Sequence, residues 1–433
     1  MTEKSITIVG SGINAYFFIK NLVNKDIKIN LIDFSIDGLN KYNENSNRKF
    51  NNLSSPKILV ENFDDNIDKF KELNCLTYNN FNTQSGLSIG GLSNVWGGTI
   101  YEFTNEELKK NNLHKFNLYD YLKYITDEDL KISEPERKPF FENLLNRDHF
   151  NINYNKRLLS SNGKPFNVKE KIQKLIDSKK INFIDGFVDK IIKKNEKYDL
   201  LIKDKNNNEL FFSTKCLVLA SGSISTARLL MDLLKKNNAK LLSTPLYREV
   251  FFTTNRHKDT SLNAIFSVSN KKFKEFSSHI FPLNGLNNNF FLQYIKIKNN
   301  FLNPIIDYLK PNLYGVYSYL SSDYSSIKIE RKNQNYSITA NKVKNNKKIF
   351  KKNKLNNIKI FKIPFISKEL LHGSDNHVGG SFPLKEYFND LNELNNFKNL
   401  HVIDGTYLNY IPPLGYTLIT ILNAIRIAKN ISR

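Results

Sequence analysis

The apolar positions of this chain fall into short β-branched runs and helical stripes that alternate at both ends, with a strand-rich middle. Ser5-Ile6-Thr7-Ile8-Val9 fits a buried parallel strand, residues 13–23 a helix, and Ile27 to Asp33 a second strand ending in an acid. Further on, Ile181–Ile184 and Val188–Lys193 predict short strands, followed by a hairpin through Asp204-Lys205-Asn206. Cys216–Ala220 then predicts a buried strand and Ser225–Leu234 a helix. Between residues 235 and 371 the pattern alternates in strand fashion at Glu249–Phe252, Phe290–Ile297, Leu313–Leu320 and Ser326–Glu330. A last strand is expected at Leu400–Ile403, and then a helix over 417–429 that is apolar nearly all round and therefore buried. Residues 105–165 read as helical, and 340–360, rich in lysine and asparagine, as a solvated hairpin or loop.

At 433 residues the chain is long enough for more than one structural region, and 40% hydrophobic residues with 32 Phe and 21 Tyr can build a large core. Cys75 and Cys216 stand in unrelated segments without metal-site or redox spacing, so neither a disulfide framework nor a thiolate metal site is expected. The chain shows neither a leader pattern nor an apolar run of membrane-spanning length, and the expected address is the cytoplasm. The net charge of +22 is spread through lysine- and asparagine-rich loops and accompanies no nucleic-acid signature. No nucleic-acid partner is expected, whereas peripheral contact with an anionic membrane face stays open.

Chemistry concentrates in a few glycine-rich turns. Gly10-Ser11-Gly12-Ile13-Asn14-Ala15 links the first strand to its helix. Gly10 permits the tight turn, Gly12 lets backbone approach a pyrophosphate, and Ala15 lets the helix pack close to the sheet. The helix N-terminus favours phosphate, and Asp33, about 20 residues on, suits ribose hydroxyls. An acid there disfavours a 2′-phosphate, leaving FAD or NAD.

Three further segments carry a family resemblance. Leu219-Ala220-Ser221-Gly222-Ser223 with the following helix, Gly90-Gly91-Leu92-Ser93-Asn94-Val95-Trp96-Gly97-Gly98, and Asn376-His377-Val378-Gly379-Gly380-Ser381-Phe382-Pro383 together resemble the glucose–methanol–choline flavoenzymes, in the short bacterial form found with polysaccharide gene clusters. The resemblance implies an α/β fold: a discontinuous Rossmann-like FAD-binding domain with an α+β substrate domain built on an antiparallel sheet. It divides the chain into FAD-binding parts 1–104, 166–234 and 372–433, a helical insertion 105–165 and a substrate domain 235–371. By the same resemblance Gly90, Gly91, Ser93, Asn94, Trp96 and Gly97 lie along the flavin, Ser221 and Gly222 beside the pyrophosphate, and Val188 offers backbone to the adenine. Asp404 and Gly405 close a further turn, and the helix beginning at Thr417 and Leu418 points at the flavin's pyrimidine edge, where its dipole favours the charge of the reduced ring.

His377 is then the base that takes the hydroxyl proton of an alcohol or sugar while hydride passes to flavin N5. The other histidines, His114, His149, His257, His279, His372 and His401, have no such context and read as incidental. The family carries a second His or Asn before the last helix; here Leu414-Gly415-Tyr416-Thr417 places Tyr416 there, a phenol that can orient a substrate oxygen but is a poor base. Non-covalent FAD, a dehydrogenase rather than an oxidase, an unidentified electron acceptor and no metal complete the expectation. A flavin-dependent epimerase or isomerase and a catalytically degraded flavin scaffold remain alternatives, with an NAD-only enzyme last.

Overall fold

In a computed structural model the chain is described over residues 4–35, 64–84, 86–94, 96–133, 150–153, 156–252, 266–284, 304, 308–341, 346–352 and 361–432. Its centre is a five-stranded sheet in the order Leu400–Val402, Leu217–Leu219, Ser5–Val9, Lys28–Asp33, Asn182–Asp185. Every pairing in it is parallel. Its inner strands are buried along nearly their whole length, as a parallel sheet covered on both faces requires. One layer joins helix Ile13–Lys20 to helix Thr417–Ile431, so the two ends of the chain meet. The latter helix is buried from Leu418 to Ala428, as its unbroken apolar surface predicts. Two of its buried polar side chains bond each other: Arg426 Nε donates to Asn423 Oδ1 at 2.9 Å. Each fully buried Phe or Ile in such a layer contributes roughly 1.5–3 kcal/mol.

A three-stranded antiparallel meander, Phe187–Lys194, Lys197–Lys203 and Glu209–Thr214, carries the hairpin expected at Asp204. The middle of the chain supplies a six-stranded antiparallel sheet in the order Phe361–Glu369, Leu246–Phe252, Leu313–Leu320, Phe276–Pro282, Phe266–Asn270, Phe150–Asn153. The fold class is therefore as expected, a mixed α/β architecture with one parallel and one large antiparallel sheet.

Local assignments differ in three places. Residues 105–165 are helical only as far as Tyr124 among the described residues; beyond it lie strands Leu130–Ser133, Phe150–Asn153 and Lys156–Ser160. The third joins Thr99–Ile100 in a small sheet and the second extends the large one, so pairing with distant partners overrides local helical preference. Ile327–Lys332 alternates as a strand but belongs to a separate four-stranded sheet with Asn238–Leu241, Asn335–Ala340 and Leu76–Asn79. Within 340–360, Asn346–Lys352 is a helix anchored by buried Phe350, which stacks on Tyr247 at 5.2 Å between ring centroids. The strand expected at Phe290–Ile297 lies outside the described residues. No helix among the described residues is long and apolar enough to cross a membrane.

Candidate active site

Three strand-to-helix turns converge on one cavity of about 370 Å³. The first follows strand Ser5–Val9. Gly10 sits at φ +95°, and a Cβ there would stand 2.4 Å from the Ala220 carbonyl oxygen, so glycine is what lets the first turn cross the second. Gly12 is different: its φ of −64° suits any residue, and a Cβ would meet no protein atom within 4 Å. Neither strain nor packing calls for glycine at that position; what its missing side chain leaves is room in the cavity. The second turn, Ser221–Gly222, begins helix Ser223–Leu233, and the third, Gly415–Tyr416, begins helix Thr417–Ile431. None of the three helices is capped by its own N-cap side chain, although the Asp404 carboxylate accepts from the Gly222 N–H at the second. Three positive dipole ends thus face one space, an arrangement that favours an anion.

Two acids balance them, Asp33 half-buried and Asp404 buried. Asp33 ends the second strand and lines the cavity. Its carboxylate accepts from the Ser11 N–H at 2.8 Å, the Ser11 hydroxyl and the Phe34 N–H. Burial nevertheless outweighs these bonds and pushes its pKa up to about 6. Asp404 accepts from Thr226 Oγ1 and the Thr406 N–H, and burial raises its pKa too.

The loop at 86–97 is tied to the first turn by Ser11, whose hydroxyl oxygen accepts from the Gly90 N–H at 2.9 Å. Within it, Ser93 Oγ donates to the Gly90 carbonyl at 2.6 Å, and Asn94 Nδ2 to Ser88 Oγ and the Ile89 carbonyl. Gly91, Leu92, Ser93, Trp96 and Gly97 reach the cavity. Trp96 keeps its ring at the wall while its indole N–H donates to the Phe166 carbonyl at 2.6 Å. Gly90 and Asn94 stay behind the surface and shape the loop.

At the other end of the cavity stands His377. The preceding Asn376 is left-handed (φ +60°), and its amide is clamped by Gln84. Backbone bonds from Gly379 to Leu242 and from Gly380 to Gly405 fasten the loop to the large sheet's connection and to the Asp404 turn. Tyr319 lies 5.9 Å from the imidazole between ring centroids, and His279 5.1 Å from Tyr319. Gly415 (φ +97°) gives the ring space, for a Cβ there would come within 2.8 Å of His377 Nε2. Tyr416 lies against Gly405 and donates its hydroxyl to the Val378 carbonyl at 2.7 Å. Burial raises its pKa further, so the phenol stays protonated and holds the loop that presents His377.

Of the residues expected to meet here, Gly10, Gly12, Asp33, Gly91, Ser93, Trp96, Gly97, Ser221, Gly222, His377, Asp404, Gly405, Tyr416 and Thr417 all line one cavity. Ala15 is buried in the helix–sheet layer, the packing role its size predicts, and the Leu418 side chain is likewise in the core. Val188 is away from the cavity, and its carbonyl accepts from the buried Arg228 guanidinium at 2.8 Å. His279, read as incidental, lines the cavity beside Tyr317. It pairs with Tyr317 across the large sheet, a juxtaposition no local motif announces. His401 is buried with Nδ1 3.0 Å from the Leu391 carbonyl, while His149 and His257 lie outside the described residues.

These features fit FAD: open space at Gly12, helix N-termini without their own caps at the first two turns for a pyrophosphate, a third beside His377, and Asp33 on the cavity wall. The fold itself has a solved counterpart. Among solved structures it matches pyridoxine 4-oxidase from Mesorbium loti with a TM-score of 0.67 over 99% of both chains, at 10% sequence identity. No protein-family model matches the sequence, and no curated protein aligns with it.

Proposed function

We propose that this protein is an FAD-dependent oxidoreductase of the glucose–methanol–choline type, oxidising a CH–OH group of a small molecule. The observation that carries the reading is the continuity of the cavity, with an anion cradle and a ribose acid at one end and the imidazole of His377 at the other. Gly12, Ser221, Gly222 and Asp33 would hold the adenosine diphosphate half, and Gly91, Ser93, Trp96 and Thr417 the flavin half. Bound there, FAD supplies the acceptor for a hydride. The chain's own task is to fix the alcohol, exclude water and take the hydroxyl proton, which falls to the Nε2 of His377. Tyr317, Tyr319 and His279 offer a wall of aromatic faces and polar tips that suits a hydroxylated ring. Neither cysteine lines the cavity, which favours non-covalent binding.

The test begins with the visible spectrum of purified protein, with FAD added if it is colourless, and release of the chromophore by acid. A panel of primary and secondary alcohols, hexoses and pyridoxine is then mixed anaerobically with the loaded enzyme. Flavin bleaching by one of them, lost by at least a hundredfold in His377→Gln with the flavin still bound, is the expected result. A protein that refuses FAD sinks the proposal. Dye reduction measured against oxygen consumption separates dehydrogenase from oxidase.

A further inference from the structure

Asp375 is buried, with its side chain fully shielded from solvent, two residues before His377. Burying a carboxylate is costly unless it is hydrogen-bonded, and this one is well served. Its Oδ1 accepts from Ser243 Oγ at 3.2 Å, and its Oδ2 from the Thr244 N–H at 3.2 Å and from the Thr244 hydroxyl. Ser243 is itself set by the Gly373 N–H, which donates to its oxygen at 3.0 Å. Two oxygens of this cluster then face the ring of His377: Asp375 Oδ2 lies 3.5 Å from Nδ1, and Thr244 Oγ1 3.4 Å.

The hydroxyl proton of Thr244 is directed at the carboxylate, so both oxygens present lone pairs to Nδ1. An Nδ1 lone pair would face them repulsively, whereas an Nδ1–H can donate to both. We infer that Asp375, supported by Thr244 and Ser243, is a positioning residue that fixes His377 as its Nδ1–H tautomer and so leaves the Nε2 lone pair as the base toward the cavity. This rests on the reading of His377 as the proton acceptor, and adds what makes the correct nitrogen available. Distances near 3.5 Å are what such contacts show before a substrate tightens them. The sequence hides the device, because Ser243 and Thr244 stand about 130 positions from Asp375.

The test uses full-length protein with imidazole-labelled (15N) histidines, at about pH 9, well above the reference histidine pKa of about 6.5. Long-range proton–nitrogen spectra report which ring nitrogen bears the hydrogen, and the His377 signals are the set missing from His377→Gln. Wild type is expected to carry the hydrogen on Nδ1. In Asp375→Asn the ratio of Nδ1–H to Nε2–H is expected to fall by tenfold or more, with amide dispersion confirming the fold. Thr244→Val, which removes one of the two oxygens, should lower it several-fold and decides the matter if Asp375→Asn does not fold. A wild-type ring protonated on Nε2, or a ratio that neither substitution moves, overturns the assignment. Because the readout needs no flavin, a protein with the expected tautomer that never binds FAD would sink the oxidoreductase reading and leave this one standing.

Discussion

Tyr416 shows how much one atom decides at this site. The phenol occupies the place where the resembled family has histidine, and its proton is directed at the Val378 carbonyl instead of the space beside Nε2. Removing the hydroxyl strands a buried carbonyl next to the loop that presents His377. Tyr416→Phe should therefore destabilise the protein by about 1–3 kcal/mol, read from urea midpoints. It should also slow flavin reduction at saturating substrate without changing the concentration for half-saturation. A rise in that concentration with an unchanged limiting rate would instead mean that the phenol binds the substrate oxygen. The residue's position was legible in the sequence, but its hydrogen-bond partner was not, since only the folded loop brings Val378 to it.

At the scale of elements, three helix starts face the cavity, none capped by its own N-cap side chain. In many helices a capping side chain fills that role, adding about 1 kcal/mol; here the open N-termini leave room that the proposed cofactor would use. Gly12→Asp separates the two uses. Aspartate is a favoured cap and complements the dipole, so the flavin-free protein should keep its melting temperature or gain a few degrees. The same carboxylate would repel a pyrophosphate, and FAD titration should show affinity lost by at least a hundredfold. Retained binding would move the phosphates away from this turn. Two of these helix starts were announced by glycine spacing, whereas the third was marked only by the last helix's apolar surface and by resemblance.

For the whole molecule, Asp33 links the site to stability. Its carboxyl is pushed up to about 6 in the folded chain from 3.8, chiefly by burial. Between those values the folded state holds more protons than the unfolded one, so stability falls as pH rises through that window. A shift of about two units sets a ceiling of roughly 3 kcal/mol, a ceiling because the group also opens on the cavity. Flavin-free wild type should lose up to that amount relative to Asp33→Asn between about pH 4 and pH 7, in urea denaturation at each pH. A difference that stays flat would mean that the carboxyl is solvated and titrates normally.

The sequence by itself determined the parallel sheet's strands, the glycine turns and the pairing of an anion-binding turn with an acid about 20 residues on. Each of these depends on contacts between chain neighbours, which spacing records. It also singled out His377, because glycines flank it in the chain. Only the tertiary structure decided that Ser11 bridges Asp33 to Gly90, that His279 and Tyr319 close the cavity around His377, and that Ser243 and Thr244 seat Asp375 against its ring. The described part of the 105–165 segment beyond Tyr124 likewise forms strands where Thr99–Ile100 and Phe266–Asn270 offer it hydrogen bonds. The reason is physical: residues tens to more than a hundred positions apart meet through the packing of whole elements, and no local period carries that information.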